Sequence, residues 1–204
     1  MTDKDRQTEE KIFDAATEVF VEKGMDGARM QDIANHAGIN KALLHYYFRS
    51  KDMLFNKVFE KISGKMFARF SPVFDSNISL EEKIRFFIKA HITFLQDNPR
   101  LPAFILNEVN RNPARIKKFI ATIDFRKLWL LLYEQHKNEL DNYNITEENL
   151  PQIMTTIASM SVFPFAARGI LEGIFQNMDV DYDKYIEERK EFAAEFVIKA
   201  IKKQ

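Results

Sequence analysis

Residues 36–48 read HAGINKALLHYYF. A tight Gly-Ile-Asn turn opens there into a helical segment too short to build a core alone, yet it carries a lysine, a histidine and two adjacent tyrosines. Gly38 suits the left-handed residue that ends one helix, and Asn40 can cap the next, Lys41 to Phe48, through its side-chain oxygen. The wider spacing Ile33-Ala34-x-x-x-Gly38-Ile39-x-x-x-x-Leu44 provides a small residue for close helix contact, a turn and two apolar anchors. This is the spacing of a helix-turn-helix. With Leu44 inward and successive residues rotated by about 100°, Phe48 also points inward, Ala42 and Tyr46 point away, and Leu43 and His45 lie on the flanks. Small, apolar and hydrogen-bonding aromatic groups are poor solvent decoration. They suit a helix lying in the major groove, where methyls, hydroxyls and imidazoles meet base edges.

Working outward, helical periodicity runs through almost the whole chain. Ile12, Ala15, Ala16, Val19 and Phe20 make an apolar stripe on a first helix that Gly24 stops. Met30 to Ala37 forms a second, short helix. Ser50 caps a fourth that runs to about Phe70, with Leu54, Val58, Ile62, Met66 and Phe70 on one stripe. Ser79-Leu80-Glu81-Glu82 is a capping box at the head of a fifth helix ending near Asp97. Pro99 and Pro113 bracket a short helix over Leu101 to Arg111, and a longer one is expected from Ala114 to about Leu140. Thr146 is expected to cap an eighth helix, which Pro164 should kink, and a ninth spans about Tyr182 to Lys203. No strand alternation, repeat or low-complexity tract interrupts this. The class is all-α, with about nine helices: a three-helix helix-turn-helix domain over 1–50 and a larger helical domain over 51–204.

Composition narrows the function. The chain has 204 residues, 46% hydrophobic and 29% charged, enough for a substantial core, and no cysteine, which excludes disulfides, thiolate zinc sites and cysteine nucleophiles. The N-terminus lacks the apolar core of a signal peptide, and the uncharged run Asn149 to Ala167 contains two prolines and several polar residues, so a buried helix is a better reading than a membrane span. A cytoplasmic protein without membrane association is expected. There is no phosphate-binding glycine loop, HExxH motif or nucleophile elbow, so an enzyme is not expected, and no cofactor is called for. His91 and His136 could converge on a haem or metal, but scattered histidines are more often core or solvated. Net charge is zero overall, yet residues 1–27 carry −4 and residues 28–51 carry +3. A polyanion would meet the second segment. A helical adaptor acting only through proteins is the competing class; it leaves the Gly38 turn and its outward tyrosines without a purpose.

The run GARMQDIANHAGINKALLHYYFRSKDML, Gly27 to Leu54, with the helix ahead of it, resembles the TetR family of bacterial transcription regulators. The resemblance implies a homodimer that binds pseudo-palindromic double-stranded operator DNA as a repressor and is released by a small-molecule effector. It implies that Lys41, Ala42, Leu43, His45 and Tyr46, with Asn40 at their head, face bases and nearby backbone. Tyr47 and Lys51 would hold phosphates, a role that the free amides at the N-terminus of the helix starting at Lys51 support. Two departures stand out. Ala28-Arg29 replaces the usual Ser or Thr before the second helix, so a cap is lost and Arg29 is expected to contact phosphate instead. Leu43 replaces a frequent threonine, so it can meet a thymine methyl but cannot hydrogen-bond a base.

Sixteen of the nineteen phenylalanines lie after Phe48. Family members place an effector cavity and a dimer interface there. An apolar or amphipathic effector would meet Phe87, His91, Phe94, Phe104, Asn107, Glu108, Phe125, Trp129, Thr155, Ser159 and Phe163, a mix of apolar walls and few polar anchors. Ile153, Ile157 and Met160 on the eighth helix, with Phe192, Phe196, Val197 and Ala200 on the ninth, are expected at the dimer interface, as half of an intermolecular four-helix bundle.

Overall fold

The computed structural model describes residues 3–70, 73, 78–114, 117, 121 and 124–203, apart from the side chains at 3, 4, 67 and 125. Among them are ten helices: α1 Asp3–Gly27, α2 Met30–His36, α3 Lys41–Tyr47, α4 Lys51–Phe70, α5 Leu80–Asp97, α6 Leu101–Arg111, α7 Phe125–Leu140, α8 Leu150–Ala166, α9 Arg168–Gln176 and α10 Tyr182–Ile201. No strand accompanies them among the described residues, only an isolated bridge between Tyr143 and Lys202. The chain packs as two compact units, residues 1–65 with 103–116, and residues 66–102 with 117–204.

In the first unit the expected stripe of α1 is the core: Ile12, Ala16 and Phe20 are fully buried with Ile33, Ala34, Leu44 and Leu54. Phe20 meets Phe55 edge-on at 5.1 Å, and Phe55 meets Phe104 at 5.8 Å. Gly24 does stop the first helical run: at φ 68°, ψ 172° it leaves helical geometry, in a left-handed region that favours glycine. The Met25 amide, turned out of the ladder, donates to Glu108 Oε1 of α6 at 3.1 Å.

In the second unit α10 packs on α5 and α8, and α9 packs on α8 and α10. Ile88 and Ile92 of α5 and Ile186 and Ala193 of α10 are at most 1% exposed. Arg85 of α5 is paired with Glu191 and Glu195 of α10. The capping box forms as expected: Ser79 N donates to Glu82 Oε2 at 2.8 Å, and Glu82 N to Ser79 Oγ at 3.3 Å.

Three expectations need correction. The helix expected from Ala114 to Leu140 has a start inside it, because Asp124 is non-helical and its carboxylate accepts from Lys127 N at 2.9 Å, so α7 begins at Phe125; an aspartate inside a helical run competes for the backbone as a cap. Thr146 is not the N-cap of α8. Asn149 holds that place, while Thr146 and Asn149 bond each other's amides, Asn149 N to Thr146 Oγ1 at 3.2 Å and Thr146 N to Asn149 Oδ1 at 2.9 Å. Finally, the disturbance at Pro164 is a break rather than a kink: α8 ends at Ala166, and α9 leaves at 71° as an additional helix.

That break is held by α10. Pro164 has no N–H for the carbonyl of Met160 four residues back. Arg189 Nε donates to that carbonyl instead, at 3.2 Å, and the Tyr182 hydroxyl donates to the Pro164 carbonyl at 2.9 Å. Arg168, at the start of α9, lies over the Tyr182 ring at 4.5 Å.

Candidate nucleic-acid interface

The turn between α2 and α3 closes as its residues dictate. Ile39 N donates to Ala34 O at 3.0 Å and Gly38 N to Asn35 O at 3.2 Å, with Gly38 at φ 67°. These two bonds over a left-handed glycine form a Schellman ending. Asn40 Oδ1 then accepts from Leu43 N at 2.8 Å and starts α3. Arg29, at the head of α2, is exposed and makes no side-chain cap, so the lost serine or threonine is not replaced in that role.

Leu44 and Phe48 fasten α3 to the core, and the other face is open: Lys41, Ala42, Leu43 and His45 are exposed, and Tyr46 is 80% exposed. Tyr46 projects beside Tyr47, their rings edge-on at 5.5 Å. The structure therefore brings the residues assigned to base contact onto one accessible face. It places the two phosphate candidates differently. Tyr47 is half-buried and donates its O–H to Asp5 Oδ1 of α1 at 3.1 Å; burial first, and the Asp5 carboxylate second, raise its pKa. Lys51 Nζ donates to the carbonyls of Ala28 at 3.0 Å and Asp26 at 3.4 Å, supplying positive charge at the C-terminal end of α1. Its ammonium has three N–H groups, so one donor is left for a phosphate.

Sequence reasoning missed the acids that organise this region. Lys23 bonds Asp32 at 2.9 Å, an interaction that lowers the Asp32 pKa, and Glu18 meets His36 at 2.6 Å. The acidic excess of the first helix was the available signal. It showed charge but not which acid meets which residue 18 to 42 positions away.

The residues expected around an effector fall in several places. Phe104, Asn107 and Glu108 line a cleft of about 160 Å³ with Gly24 and Arg111, all in the first unit. In the second unit Phe87 and His91 meet Phe70, at 4.5 and 5.7 Å between ring centroids, and Phe94 is buried under Arg69. Trp129 is half-buried beside Tyr133. Thr155 and Ser159 are exposed and turn their hydroxyls onto carbonyls of their own helix, while Phe163 is 59% exposed. The Phe125 side chain lies outside the described residues. His136 is buried with Nδ1 on Glu139 at 2.7 Å, and no group of three or more metal-ligating side chains occurs among the described residues.

Of the expected interface residues, Phe192 and Phe196 are 59% and 53% exposed and stack at 6.2 Å. Ala200 is exposed, and Ile153, Ile157 and Met160 are half-buried. Val197 is a correction: at 2% exposure it belongs to the core of its own chain with Ala193, because it falls on the face of α10 turned to α5 and α8. No single described helix is long and apolar enough to cross a membrane.

Comparison with known proteins places this geometry. Residues 12–58 match the family described as bacterial regulatory proteins, tetR family. YttP of Bacillus subtilis, named a probable HTH-type transcriptional regulator, is 22% identical over 166 residues, 78% of this chain and 77% of YttP. IcaR of Staphylococcus epidermidis, the negative transcriptional regulator of the biofilm operon icaADBC, is 31% identical over 80 residues, 39% of this chain and 43% of IcaR. The structure of the ketosteroid transcriptional regulator KstR2 of Mycobacterium tuberculosis superposes with a TM-score of 0.67 at 17% identity, covering 96% of this chain and 95% of that one. The matched segment holds α2, α3 and the turn between them, so residues 12–58 are similar to the corresponding region of tetR-family bacterial regulatory proteins, and the chain as a whole shares the fold of such regulators.

Proposed function

We propose that the protein is a cytoplasmic, homodimeric repressor that reads a pseudo-palindromic operator through α3 and is released by an apolar or amphipathic small molecule. One observation carries the proposal: an exposed face of Lys41, Ala42, Leu43, His45 and Tyr46 is fixed by buried Leu44 and Phe48 on a helix-turn-helix. Repression follows relatives named for it, such as IcaR. Dimerisation is supported by Phe163, Phe192 and Phe196, each more than half exposed, since large aromatics are seldom left to water in such numbers without a partner. In a dimer the two α3 helices must meet successive major grooves about 34 to 36 Å apart.

Release would use chain continuity. Only three residues separate α3 from α4, which runs unbroken to Phe70, so tilting α4 moves the reading helix. α6 adds a second handle, through Glu108 on the Met25 amide. The test is selection of bound sites from a random duplex pool, followed by a thermal-shift screen of small molecules and titration of any hit with and without operator. A palindromic consensus, and an effector that binds less tightly to the operator complex, are expected. Linkage requires the reciprocal loss to be equal. Equal effector affinity in both states would remove the release mechanism.

A further inference from the structure

Tyr47 ends α3 at the edge of the exposed face, and its single hydroxyl proton is already committed inside the protein. The O–H donates to Asp5 Oδ1 at 3.1 Å, 42 residues away on α1. Thr8, one turn further along α1, hydrogen-bonds the same phenol. A phenol has one proton to give. While Asp5 holds it, the oxygen offers an approaching phosphate only lone pairs, and the Asp5 carboxylate adds like-charge repulsion beside it.

We infer that Asp5 is a gate on DNA contact: it occupies the Tyr47 hydroxyl in the free protein, and the phenol must exchange this carboxylate for a backbone phosphate when the protein binds a duplex. The inference rests on the reading of Tyr47 as a phosphate contact. Because phosphates carry no sequence information, the gate weakens binding to every duplex alike. It gives the acidic start of α1 a purpose that packing does not, since Asp5 is joined to α3 through this polar contact. It also means that the strength of DNA contact is set partly by a residue outside the helix-turn-helix.

The test uses the full chain and two fluorescein-labelled duplexes of equal length, a selected operator and its scrambled sequence, read by anisotropy at fixed salt. Asp5→Ala should tighten binding to both by about five- to tenfold, the scale on which one hydrogen bond to a charged group is exchanged for another. Asp5→Asn keeps an acceptor for the phenol but no charge, and should tighten binding by less; it also serves if Asp5→Ala disturbs the start of α1. In a Tyr47→Phe background the effect of Asp5→Ala should shrink, because the proton being gated is gone. Equal tightening in both backgrounds would show that Asp5 acts by charge alone and overturn the gate. So would weaker or unchanged binding of Asp5→Ala alongside a weakened Tyr47→Phe. Unchanged binding by Tyr47→Phe alone would instead remove the phosphate contact on which the inference rests.

Discussion

The helix-turn-helix and the last three helices use apolar residues in opposite ways. In α2 and α3 Ile33, Ala34 and Leu44, with Phe48 just after, are all at least 95% buried, and the apolar groups left outside, Ala42, Leu43 and Tyr46, share one short face with Lys41 and His45. In α8, α9 and α10 they are many, and Met154, Phe163, Ile170, Ile174, Phe192 and Phe196 are all more than 40% exposed. The first region is complete as a monomer. The second carries more apolar surface than its own fold covers, and such surface is where a partner copy gains most. The proposed function gives each region a use: the first would meet DNA, and the second would be covered by a partner copy.

The comparison breaks most severely if the exposed stack on α10 is charged. Phe192→Glu with Phe196→Glu should convert a dimer to a monomer in sedimentation at micromolar concentration, and abolish high-affinity operator binding because half-sites are then bound singly. A dimer persisting in this variant would mean that these faces are not the partner surface.

Next in size is the break after α8. Arg189→Met removes the donor to the half-buried Met160 carbonyl and should destabilise the protein by about 1 kcal/mol in urea unfolding, the scale of one hydrogen bond lost where water can partly replace it. Pro164→Ala restores a backbone N–H at the position that should have served that carbonyl. The double variant should lose less than the sum of the two singles, and strict additivity would show that Arg189 does not act on that carbonyl.

These contacts mark the limit of what the sequence discloses. The Gly38 turn, the Asn40, Ser50 and Ser79 caps and the α1 stripe were readable because each is settled by neighbours a few residues apart. Pro164 was readable as a fault, but its repair by Arg189 and Tyr182 was not, since it joins residues 18 and 29 positions apart. Val197 was misplaced for a related reason. Periodicity gives the apolar stripe of α10 but not where its buried part ends and its exposed part begins, which α5 and α8 decide. Tyr47 and Lys51 were placed at the right helix ends, yet their partners on α1 and just after it came only with tertiary structure.

Acidification probes the second unit through His91. Burial pushes its pKa down from 6.5 to about 4, so the imidazole is neutral in the fold and gains a proton more readily when unfolded. The unfolded state then binds more protons between about pH 6.5 and 4, and stability should fall as pH drops through that window, by up to roughly 3 kcal/mol. His91→Phe should flatten this part of the urea-midpoint profile relative to wild type. An unchanged slope would mean that its partly buried site does not hold His91 neutral in the fold.

A smaller effect is expected at Lys51, which serves both fold and DNA. Lys51→Ala should lower the melting temperature by a few degrees, because the Asp26 and Ala28 carbonyls lose their donor. It should also reduce the salt slope of DNA binding by about one unit, equally on all sequences. A melting change without a slope change would confine Lys51 to the fold.

The most direct test of the account lies on α3 itself: the affinities of wild type and Tyr46→Ala for a selected operator and for a scrambled duplex, at the same salt. Tyr46 is 80% exposed, with its ring against neighbouring Tyr47 on the same helix, so the variant should fold normally. Wild type should prefer the operator by about a thousandfold or more, and Tyr46→Ala should lose about tenfold of that preference while binding the scrambled duplex unchanged. Equal losses on both duplexes, or a wild type that does not distinguish them, would contradict the claim that this face reads sequence.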